Sequence, residues 1–315
     1  MMDTILSGEV TEAQIGAFMA ALAAKGETFA ELAGAAQAMR KKALRIQATA
    51  STVVDTCGTG GHGTHSFNIS TTTAFVVAGC GVTVAKHGNR SVSSRCGSAD
   101  LLEALGVRLE TEPEIVEEAI SEIGIGFLYA PLYHSGMRHA AGPRREIGLR
   151  SIFNMLGPLT NPAGAPNQVL GVFGEAWVEP LARVLQQLGG EHVLVVHAED
   201  GLDEISIGAP TRVAELKNGA ITVYTITPEE FGMQRSGLEP LAVADAGESL
   251  AVIGAVLDNQ PGAARDIVML NAGAAIYAAG VADSLAAGVG RAAEVLADGS
   301  AGETLASLVR VSNAV

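Results

Sequence analysis

The stretch DTCGTGGHGTHSFNISTTTAFVVAGCGVTVAKHGNRSVSSRCGSAD, from Asp55 to Asp100, decides the fold of this chain. Two segments rich in glycine and hydroxyl side chains flank one apolar helix and one apolar strand. The first contains GTGG at 58–61 and NIST at 68–71, and the second is KHGNRSVSS at 86–94. Small residues let a backbone approach an anion, and its free N–H groups then act as donors. Two such loops on one crevice suit a ligand with phosphates at both ends, which favours a phosphorylated sugar.

Short apolar strands and helices alternate from this stretch onward. The pattern predicts strands at 53–54, 82–85, 127–130, 169–173 and 192–197, and helices at 70–80, 98–105, 113–123, 143–154 and 178–188. Alternation of this kind predicts an α/β fold with a mostly parallel sheet flanked by helices on both faces. The segments 211–215 and 221–226, joined by Lys217-Asn218-Gly219, predict an antiparallel hairpin. The chain from Arg265 onward is predicted to be Ala-rich helix.

The first 48 residues have a different pattern, which predicts two helices. Each begins with a capping-box sequence, Thr11 to Gln14 and Thr28 to Glu31. We therefore expect a small helical N-terminal domain at 1–48, joined by a later helical segment near 134–158. The remaining chain, 49–315, is expected to form the larger α/β domain that binds the phosphorylated ligand.

Composition excludes several classes of protein. The 315 residues are 48% hydrophobic, include 38 glycines and carry a net charge of −14, which disfavours nucleic-acid and anionic-membrane partners. No apolar run is long enough to span a membrane, and the N-terminal sequence lacks the pattern of a signal peptide. Cys57, Cys80 and Cys96 are odd in number and lack CxxC spacing, so we interpret them as reduced residues of a cytoplasmic protein.

Positive charge is concentrated near the glycine loops of this acidic chain. Basic residues fall in two groups, Lys86, Arg90 and Arg95 in the second loop and Arg138, Arg144, Arg145 and Arg150 further along. This placement predicts binding of a small anion, and chance clustering on solvated faces is the alternative.

Both loops stand where α/β proteins bind ligands. GTGG follows a predicted strand and precedes a helix, although it matches neither the P-loop nor the GxGxxG pattern. The loop 86–94 follows the next strand and offers cations, an amide and hydroxyls at the carboxyl end of the sheet. A solvated loop is the alternative interpretation of each.

A pair of acidic residues, Asp203 and Glu204, follows the strongly apolar strand 192–197. Adjacent carboxylates can hold Mg²⁺, which prefers one or two carboxylates together with phosphate oxygens of a substrate. A solvated acidic turn is the alternative. His62 and His65 lack a third ligand for zinc, and His134 and His139 are expected on a helix surface.

Several motifs together resemble those of the anthranilate phosphoribosyltransferase family. GTGG, NIST, KHGNRSVSS, GSADLLEALG, FNMLGPLTNP and GLDEIS occur in the order and spacing of that family, over nearly the whole chain. The resemblance implies transfer of a phosphoribosyl group from 5-phosphoribosyl 1-diphosphate to the amine of anthranilate, with release of pyrophosphate, in tryptophan biosynthesis. It also implies a nucleoside phosphorylase/phosphoribosyltransferase-like fold, a homodimer formed through the helical domain, and Mg²⁺ with two ions per active site.

The resemblance carries residue roles onto this sequence by motif. It implies that the diphosphate sugar is bound by Gly58, Gly61, His62, Ser66, Asn68, Ile69, Ser70, Thr71, Lys86, His87, Gly88, Asn89, Arg90, Ser91, Val92, Ser93, Ser94 and Ser98. Anthranilate would contact Gly58, Asn89 and Arg144, the last through two hydrogen bonds to the carboxylate. The Mg²⁺ residues would be Ser70, Asp203 and Glu204. His87 is a candidate for relaying a proton, and no other catalytic residue is assigned.

The sequence departs from the family pattern at three places. His62 stands where the family has Asp, Ser66 stands where it has Thr, and the first helix is expected to be shortened or absent, which bears on the dimer surface. We expect activity to survive because the Asp203-Glu204 pair remains.

Three rival functions stay open. They are a nucleoside phosphorylase, whose KHSTGG motif is missing from this sequence, a transferase that acts on another aromatic acid, and a phospho-sugar-binding regulator.

Overall fold

The computed structural model describes residues 1–48, 50, 52–60, 66–90 and 96–314. Its helices, α1 to α14 in chain order, span Met2–Leu6, Glu12–Lys25, Phe29–Lys42, Ile69–Gly79, Ser98–Ala104, Pro113–Ile123, Ala130–Tyr133, Arg138–Ile147, Ile152–Leu156, Val178–Gln187, Ala246–Leu257, Ala263–Ala278, Leu285–Asp298 and Ser300–Ser312. Its strands, β1 to β7, span Val53–Gly58, Thr83–Gly88, Ile125–Tyr129, Asn167–Gly171, His192–Ala198, Thr211–Lys217 and Ala220–Ile226. Short 3₁₀ turns lie at Ser135–Met137, Gly157–Leu159, Glu175–Trp177, Pro228–Phe231 and Glu239–Leu241.

The strands form one sheet in the order β3-β2-β1-β4-β5-β6-β7. The first five in this order are parallel, and β6 and β7 are antiparallel. This confirms the predicted mostly parallel sheet and the hairpin. Asn218 and Gly219 connect the hairpin strands with φ of 53° and 73°, the left-handed pair that a tight two-residue turn requires. The strand order reverses between β1 and β4, and such a reversal is where α/β sheets open a ligand crevice.

Helices cover both faces of the sheet, as the alternation predicted. Leu194 and Val196 of β5 belong to a core that includes residues of α4, α12 and α14. Val193 and Val195 point to the opposite core, with residues of α3, α9 and α10. Each fully buried Val or Leu contributes roughly 1.5–3 kcal/mol, so the two-sided burial explains why the central strands are apolar throughout.

The N-terminal helices pack on a later helical segment. Helices α1 and α2 contact α8, and α2 and α3 contact α9, so residues from Arg138 to Leu156 join the N-terminal layer. Both predicted capping boxes, at Thr11 and Thr28, are present. Helix α1 has five residues, and the shortened or absent first helix of the family stays a prediction. The division of the chain into domains at 1–48 and 49–315 stays a prediction.

The segment 143–154, predicted to be mostly helical, is divided between two helices. Helix α8 ends before Gly148, whose φ of 64° is left-handed, and α9 starts after Ser151 with a capping box to Asn154. A left-handed glycine ends a helix at little steric cost. Among the described residues, no helix is long and apolar enough to cross a membrane.

Candidate active site

The predicted acidic turn lies against the carboxyl ends of β1 and β4. Asp203 is almost completely buried, and its Oδ2 accepts a hydrogen bond from the N–H of Gly60 at 2.8 Å. A Cβ atom on Gly58 would lie 2.6 Å from Asp203 Oδ2, and one on Gly171 would overlap the carbonyl oxygen of Asp203. Glycine at both positions therefore lets the acidic turn approach the first glycine loop.

Glu204 joins this turn to the start of α4. Burial raises the pKa of Glu204 well above its usual range, and the neighbouring charge of Asp203 raises it further. The Lys86 charge and a hydrogen bond from the backbone of Ser70 oppose that rise. Two carboxylates held this close repel each other, so a cation between them would be favourable.

The donor set at this turn fits Mg²⁺. Asp203, Glu204 and the Ser70 hydroxyl are hard oxygen donors, and Glu204 receives a hydrogen bond from the Ser70 backbone. Over the described ranges, no group of three or more His, Cys, Asp or Glu residues is placed to hold a metal. Mg²⁺ is usually bound by one or two carboxylates with substrate phosphates supplying further oxygens, and this site matches that arrangement.

Lys86 is a buried cation at the end of β2. It is only 2% exposed, and its Nζ lies 2.5 Å from the carbonyl oxygen of Thr56 and 3.4 Å from Ser70 Oγ. Burial lowers the pKa of Lys86, while the charges of Asp55, Cys57 and Glu204 oppose that change. The ammonium group is thus fixed beside the acidic turn and the N-terminus of α4.

The first turn of α4 contains the predicted NIST residues. The Asn68 side chain donates to the carbonyl oxygen of Cys96 at 3.2 Å and accepts from the Ser249 hydroxyl at 3.1 Å. It therefore connects the start of α4 to Cys96 and to α11. Ile69 and Thr71 are buried, and the Thr71 hydroxyl has no hydrogen-bond partner among the described residues. The unpaired N–H groups of such a helix start favour anions.

The described part of the second loop packs on α5. Ser98 Oγ donates to the carbonyl oxygen of Asn89 at 3.3 Å, and a Cβ on Gly88 would collide with that hydroxyl. The Arg90 guanidinium pairs with Asp100 at 3.1 Å and with Glu103 at 2.8 Å. Arg90 is therefore directed toward α5 in this structure, and its contact with the diphosphate sugar stays a prediction.

Two buried histidines stand side by side behind the second loop. The rings of His87 and His134 are 5.1 Å apart, and His87 Nδ1 lies 3.2 Å from the carbonyl oxygen of Gly157. Burial lowers the pKa of His87 to about 3 and that of His134 to about 4. His87 is a weak base for this reason, and its role in proton transfer stays a prediction. The expected surface position of His134 is wrong, because this residue is 8% exposed.

Arg144 lies on α8, within the helical layer. Its guanidinium carbon is 5.6 Å from the centre of the Phe153 ring, and burial lowers its pKa. No hydrogen bond or ion pair links it to Gly58 or Asn89, all three being described residues. The structure therefore does not join the three residues predicted to bind anthranilate.

The sequence matches one family along almost its whole length. Residues 50–302 match the model of the a/b domain of the glycosyl transferase family, and residues 1–43 match its helical bundle domain. Anthranilate phosphoribosyltransferase of Thioalkalivibrio sulfidiphilus is 61% identical over 98% of this chain and 91% of its own length. That of Methylococcus capsulatus is 60% identical over 99% and 91%. The chain belongs to the anthranilate phosphoribosyltransferase family.

Solved structures of this family have the same fold. Anthranilate phosphoribosyltransferase from Thermus thermophilus superimposes with a TM-score of 0.94 at 47% identity, covering 99% of this chain and 94% of that one. The enzyme from Saccharomyces cerevisiae, in complex with PRPP and Mg, gives a TM-score of 0.89 at 24% identity, over 96% and 86%. At this lower identity, the similarity to the yeast enzyme shows only that the two proteins share a fold. The match to the family confirms the resemblance that the motifs indicated.

Part of the family motifs lies outside the described residues. This applies to Gly61, His62, Ser91, Val92, Ser93 and Ser94, and also to His65 and Arg95 beside them. Ser66, which replaces the family's Thr, is described and forms an isolated bridge with Ala242.

Three residues near the site were missed by the sequence analysis, namely Asp55, Asn161 and Asn271. Each lies inside a motif that was noticed for its resemblance, in DTCGTGG, FNMLGPLTNP and RDIVMLNAGAAIY. All three side chains are buried, and they bind backbone atoms of β2 or of the acidic turn. The motif membership was the available signal, but no spacing rule shows which backbone a buried polar side chain will reach.

Proposed function

We propose that this protein transfers the 5-phosphoribosyl group from 5-phosphoribosyl 1-diphosphate to the amine of anthranilate, giving N-(5-phosphoribosyl)anthranilate and pyrophosphate. This is a step of tryptophan biosynthesis. One observation supports the assignment above all: buried Lys86, the Asp203-Glu204 turn and the start of α4 meet between the two glycine loops. That combination suits a diphosphate with its metal, and membership of the family supplies the acceptor.

Mg²⁺ is the proposed cofactor, held by Asp203, Glu204 and Ser70. When bound, it would neutralise negative charge that develops on the departing pyrophosphate. Hard oxygen ligands and the adjacency of two carboxylates support this choice. Two ions per site, as the resemblance implies, remain part of the proposal.

The chain's own residues stabilise the separation of charge. Breaking the bond between ribose C1 and the diphosphate oxygen leaves positive charge on the sugar and negative charge on pyrophosphate. The Lys86 ammonium and the N–H groups at the start of α4 are fixed before the reaction, so they stabilise the leaving group without reorganising. No covalent enzyme intermediate is needed.

Anthranilate is proposed to be held on the other side of the crevice by Gly58, Asn89 and Arg144. The Arg144 guanidinium suits a carboxylate, because its N–H groups can form two parallel hydrogen bonds. The aromatic amine is weakly basic and unprotonated at neutral pH, so positioning it beside C1 supplies most of the catalysis that the acceptor needs.

Other features of the proposal extend beyond the contacts described above. These are the homodimer formed through the helical layer, the cytoplasmic location, and the diphosphate-sugar contacts of Gly58, Gly61, His62, Ser66, Asn68, Ile69, Ser70, Thr71, Lys86, His87, Gly88, Asn89, Arg90, Ser91, Val92, Ser93, Ser94 and Ser98. They are proposals for this chain.

The decisive experiment follows the loss of anthranilate fluorescence when protein, anthranilate, 5-phosphoribosyl 1-diphosphate and Mg²⁺ are mixed. We expect a loss that needs all four components and falls by at least about 100-fold in Asp203→Asn/Glu204→Gln. The matched control is Glu229→Gln/Glu230→Gln, an adjacent acidic pair on an exposed 3₁₀ turn, which should keep full activity. No fluorescence loss, with binding of the diphosphate sugar intact, would favour another acceptor or a regulator.

A further inference from the structure

Strands β1 and β2 separate before they reach the site. Their paired register ends at Val54 and Val84, although every residue of both strands is described. On their outer edges, β1 stays paired with β4 and β2 with β3 as far as the last residue of each strand. A register continued by two residues would place Thr56 opposite Lys86. Side chains bind the backbone groups that this pair of residues would otherwise use for strand pairing.

Two buried side chains take over the backbone groups that β2 loses. The N–H of His87 donates to Asp55 Oδ1 at 3.2 Å, and the carbonyl oxygen of Ala85 accepts from Asn161 Nδ2 at 2.8 Å. The same Asn161 amide donates to Asp55 Oδ2 at 2.8 Å. In an ordinary parallel ladder these two groups of β2 would both bond to one residue of β1. Asp55 and Asn161 therefore form a polar wedge between the strands.

The carbonyl group of Thr56 on β1, which an ordinary ladder would pair with β2, instead bonds to the Lys86 side chain. The carbonyl oxygen of Thr56 accepts from Lys86 Nζ at 2.5 Å. Asp55 is fully buried, and the Lys86 charge opposes the rise in pKa that burial causes for Asp55. A buried carboxylate needs such a counter-charge and full hydrogen bonding to be tolerated. Asp55 on β1 and Lys86 on β2 therefore stabilise each other's charge.

We infer that Asp55 and Asn161 are positioning residues, which keep the end of β2 apart from β1 so that Lys86 faces the diphosphate. The inference rests on the proposed function. The opened carboxyl ends of adjacent strands are where α/β sheets admit a ligand. Without the wedge, the free groups of Ala85 and His87 would stay unsatisfied or pair again with β1, and either change displaces Lys86.

Two variants test the wedge, with a third as a matched control. Asn161→Ala removes both donors. Asp55→Asn keeps the shape of the side chain, but an amide has only one accepting oxygen. Its NH₂ group therefore faces one of the two donors, the His87 N–H or the Asn161 amide. The control is Asn167→Ala, at the opposite end of the sheet. Asn167 is also buried and donates to one backbone carbonyl oxygen, that of Val53, at 3.3 Å.

Two quantities are measured on each protein: the Kd for pyrophosphate in the presence of Mg²⁺, by calorimetry, and the kcat and KM of transfer. Displacement of Lys86 should weaken pyrophosphate binding about tenfold and raise KM for the diphosphate sugar. It should also lower kcat by up to about tenfold, because Lys86 stabilises the departing pyrophosphate as well as the bound diphosphate. Asn167→Ala should leave Kd and KM unchanged.

The outcomes separate this inference from the proposed function. A Kd for pyrophosphate within about twofold of wild type in both variants, or an equal loss in Asn167→Ala, would overturn the positioning role. A wild-type protein that binds pyrophosphate but does not transfer would contradict the function alone, and the Kd values would still decide the wedge. If Asn161→Ala does not fold, Asn161→Ser, which keeps one donor, makes the same comparison.

Discussion

The side-chain amide of Asn271 holds the backbone of Ile205 at both its N–H and its C=O group. Asn271 Oδ1 accepts from the Ile205 N–H at 2.9 Å, and Nδ2 donates to the Ile205 carbonyl oxygen at 2.9 Å. The second amide hydrogen goes to the carbonyl oxygen of Ile267, one turn earlier in α12. Ile205 follows Glu204 directly, so one buried residue ties the acidic turn to a core helix.

Removing this side chain should loosen the acidic turn. We expect Asn271→Ala to lower the free energy of unfolding by about 2–4 kcal/mol, since three buried hydrogen bonds are lost. The Mg²⁺ concentration that half-saturates transfer should rise several-fold, because the two carboxylates are no longer held together. Urea unfolding and a Mg²⁺ titration of the rate measure the two effects. Asn167→Ala is the control, and an unchanged half-saturating Mg²⁺ concentration in Asn271→Ala would contradict the prediction.

Gly171 should not tolerate any side chain. A Cβ there would overlap the carbonyl oxygen of Asp203, which is backbone and cannot move aside without shifting the acidic turn. We expect Gly171→Ala to abolish transfer, and Gly58→Ala, whose Cβ would meet only the Asp203 carboxylate, to weaken Mg²⁺ binding with less damage to stability.

The control for these two variants is Gly174→Ala. Gly174 has an extended φ of −163°, and its Cβ would lie no closer than 3.9 Å to Trp177. Its activity and stability should match wild type. Full activity of Gly171→Ala, measured by anthranilate fluorescence, would be incompatible with the close approach of the acidic turn to β4.

Arg40 connects the N-terminal helices to the larger α/β layer. From α3, its Nε donates to the carbonyl oxygen of Leu159 at 2.7 Å and its guanidinium NH₂ group to that of Leu188 at 2.9 Å. We expect Arg40→Ala to lower the free energy of unfolding by about 1–3 kcal/mol, because two partly buried carbonyl groups lose a charged donor. Arg40→Lys should recover only part of this, since an ammonium cannot reproduce the planar fork. The exposed neighbour Lys41→Ala is the control in chemical denaturation, and an equal loss there would refute the role of Arg40.

Local patterns in the sequence were sufficient for much of the fold. Some features depend only on neighbours within a few residues, so the local sequence predicts their geometry. These are the capping boxes at Thr11 and Thr28 and the hairpin turn at Asn218-Gly219. The strand alternation likewise predicted a parallel sheet and placed both glycine loops at its carboxyl edge. These are the features that periodicity and turn chemistry control.

The contacts that position the site could not be predicted in the same way. Asn161 reaches Asp55 across 106 residues of chain, and Asn271 reaches Ile205 across 66. Such bonds depend on which segments the folded core brings together, and no local pattern encodes that. His134 was wrongly expected on a helix surface, yet its ring packs on His87. Tertiary packing overrides the local pattern at these residues.

A network at the other end of the sheet should control stability in acid. The carboxylate of Glu215 accepts hydrogen bonds from His192 Nε2 at 2.9 Å, from the Tyr277 hydroxyl at 2.7 Å and from the Tyr224 hydroxyl at 2.9 Å. Burial raises the pKa of Glu215, but these three hydrogen bonds outweigh burial and lower it from 4.5 to about 2. The ionised carboxylate therefore stabilises the folded state above the unfolded-state pKa. That stabilisation is lost as the pH falls from about 4.5 to about 2.

Glu215→Gln tests this sign directly. At pH 7 we expect the variant to be less stable by roughly 1–3 kcal/mol, because solvent screens part of the interaction that lowers the pKa. The difference should shrink steadily below pH 4.5, because the wild-type carboxylate becomes protonated there and loses the same interaction. Urea unfolding at pH 7, 4 and 3 measures it, with Glu229→Gln, an exposed acid paired with Arg235, as the control that should not change. A deficit in Glu215→Gln that stays constant from pH 7 to pH 3 would mean that packing, and not the charge of Glu215, stabilises this end of the sheet.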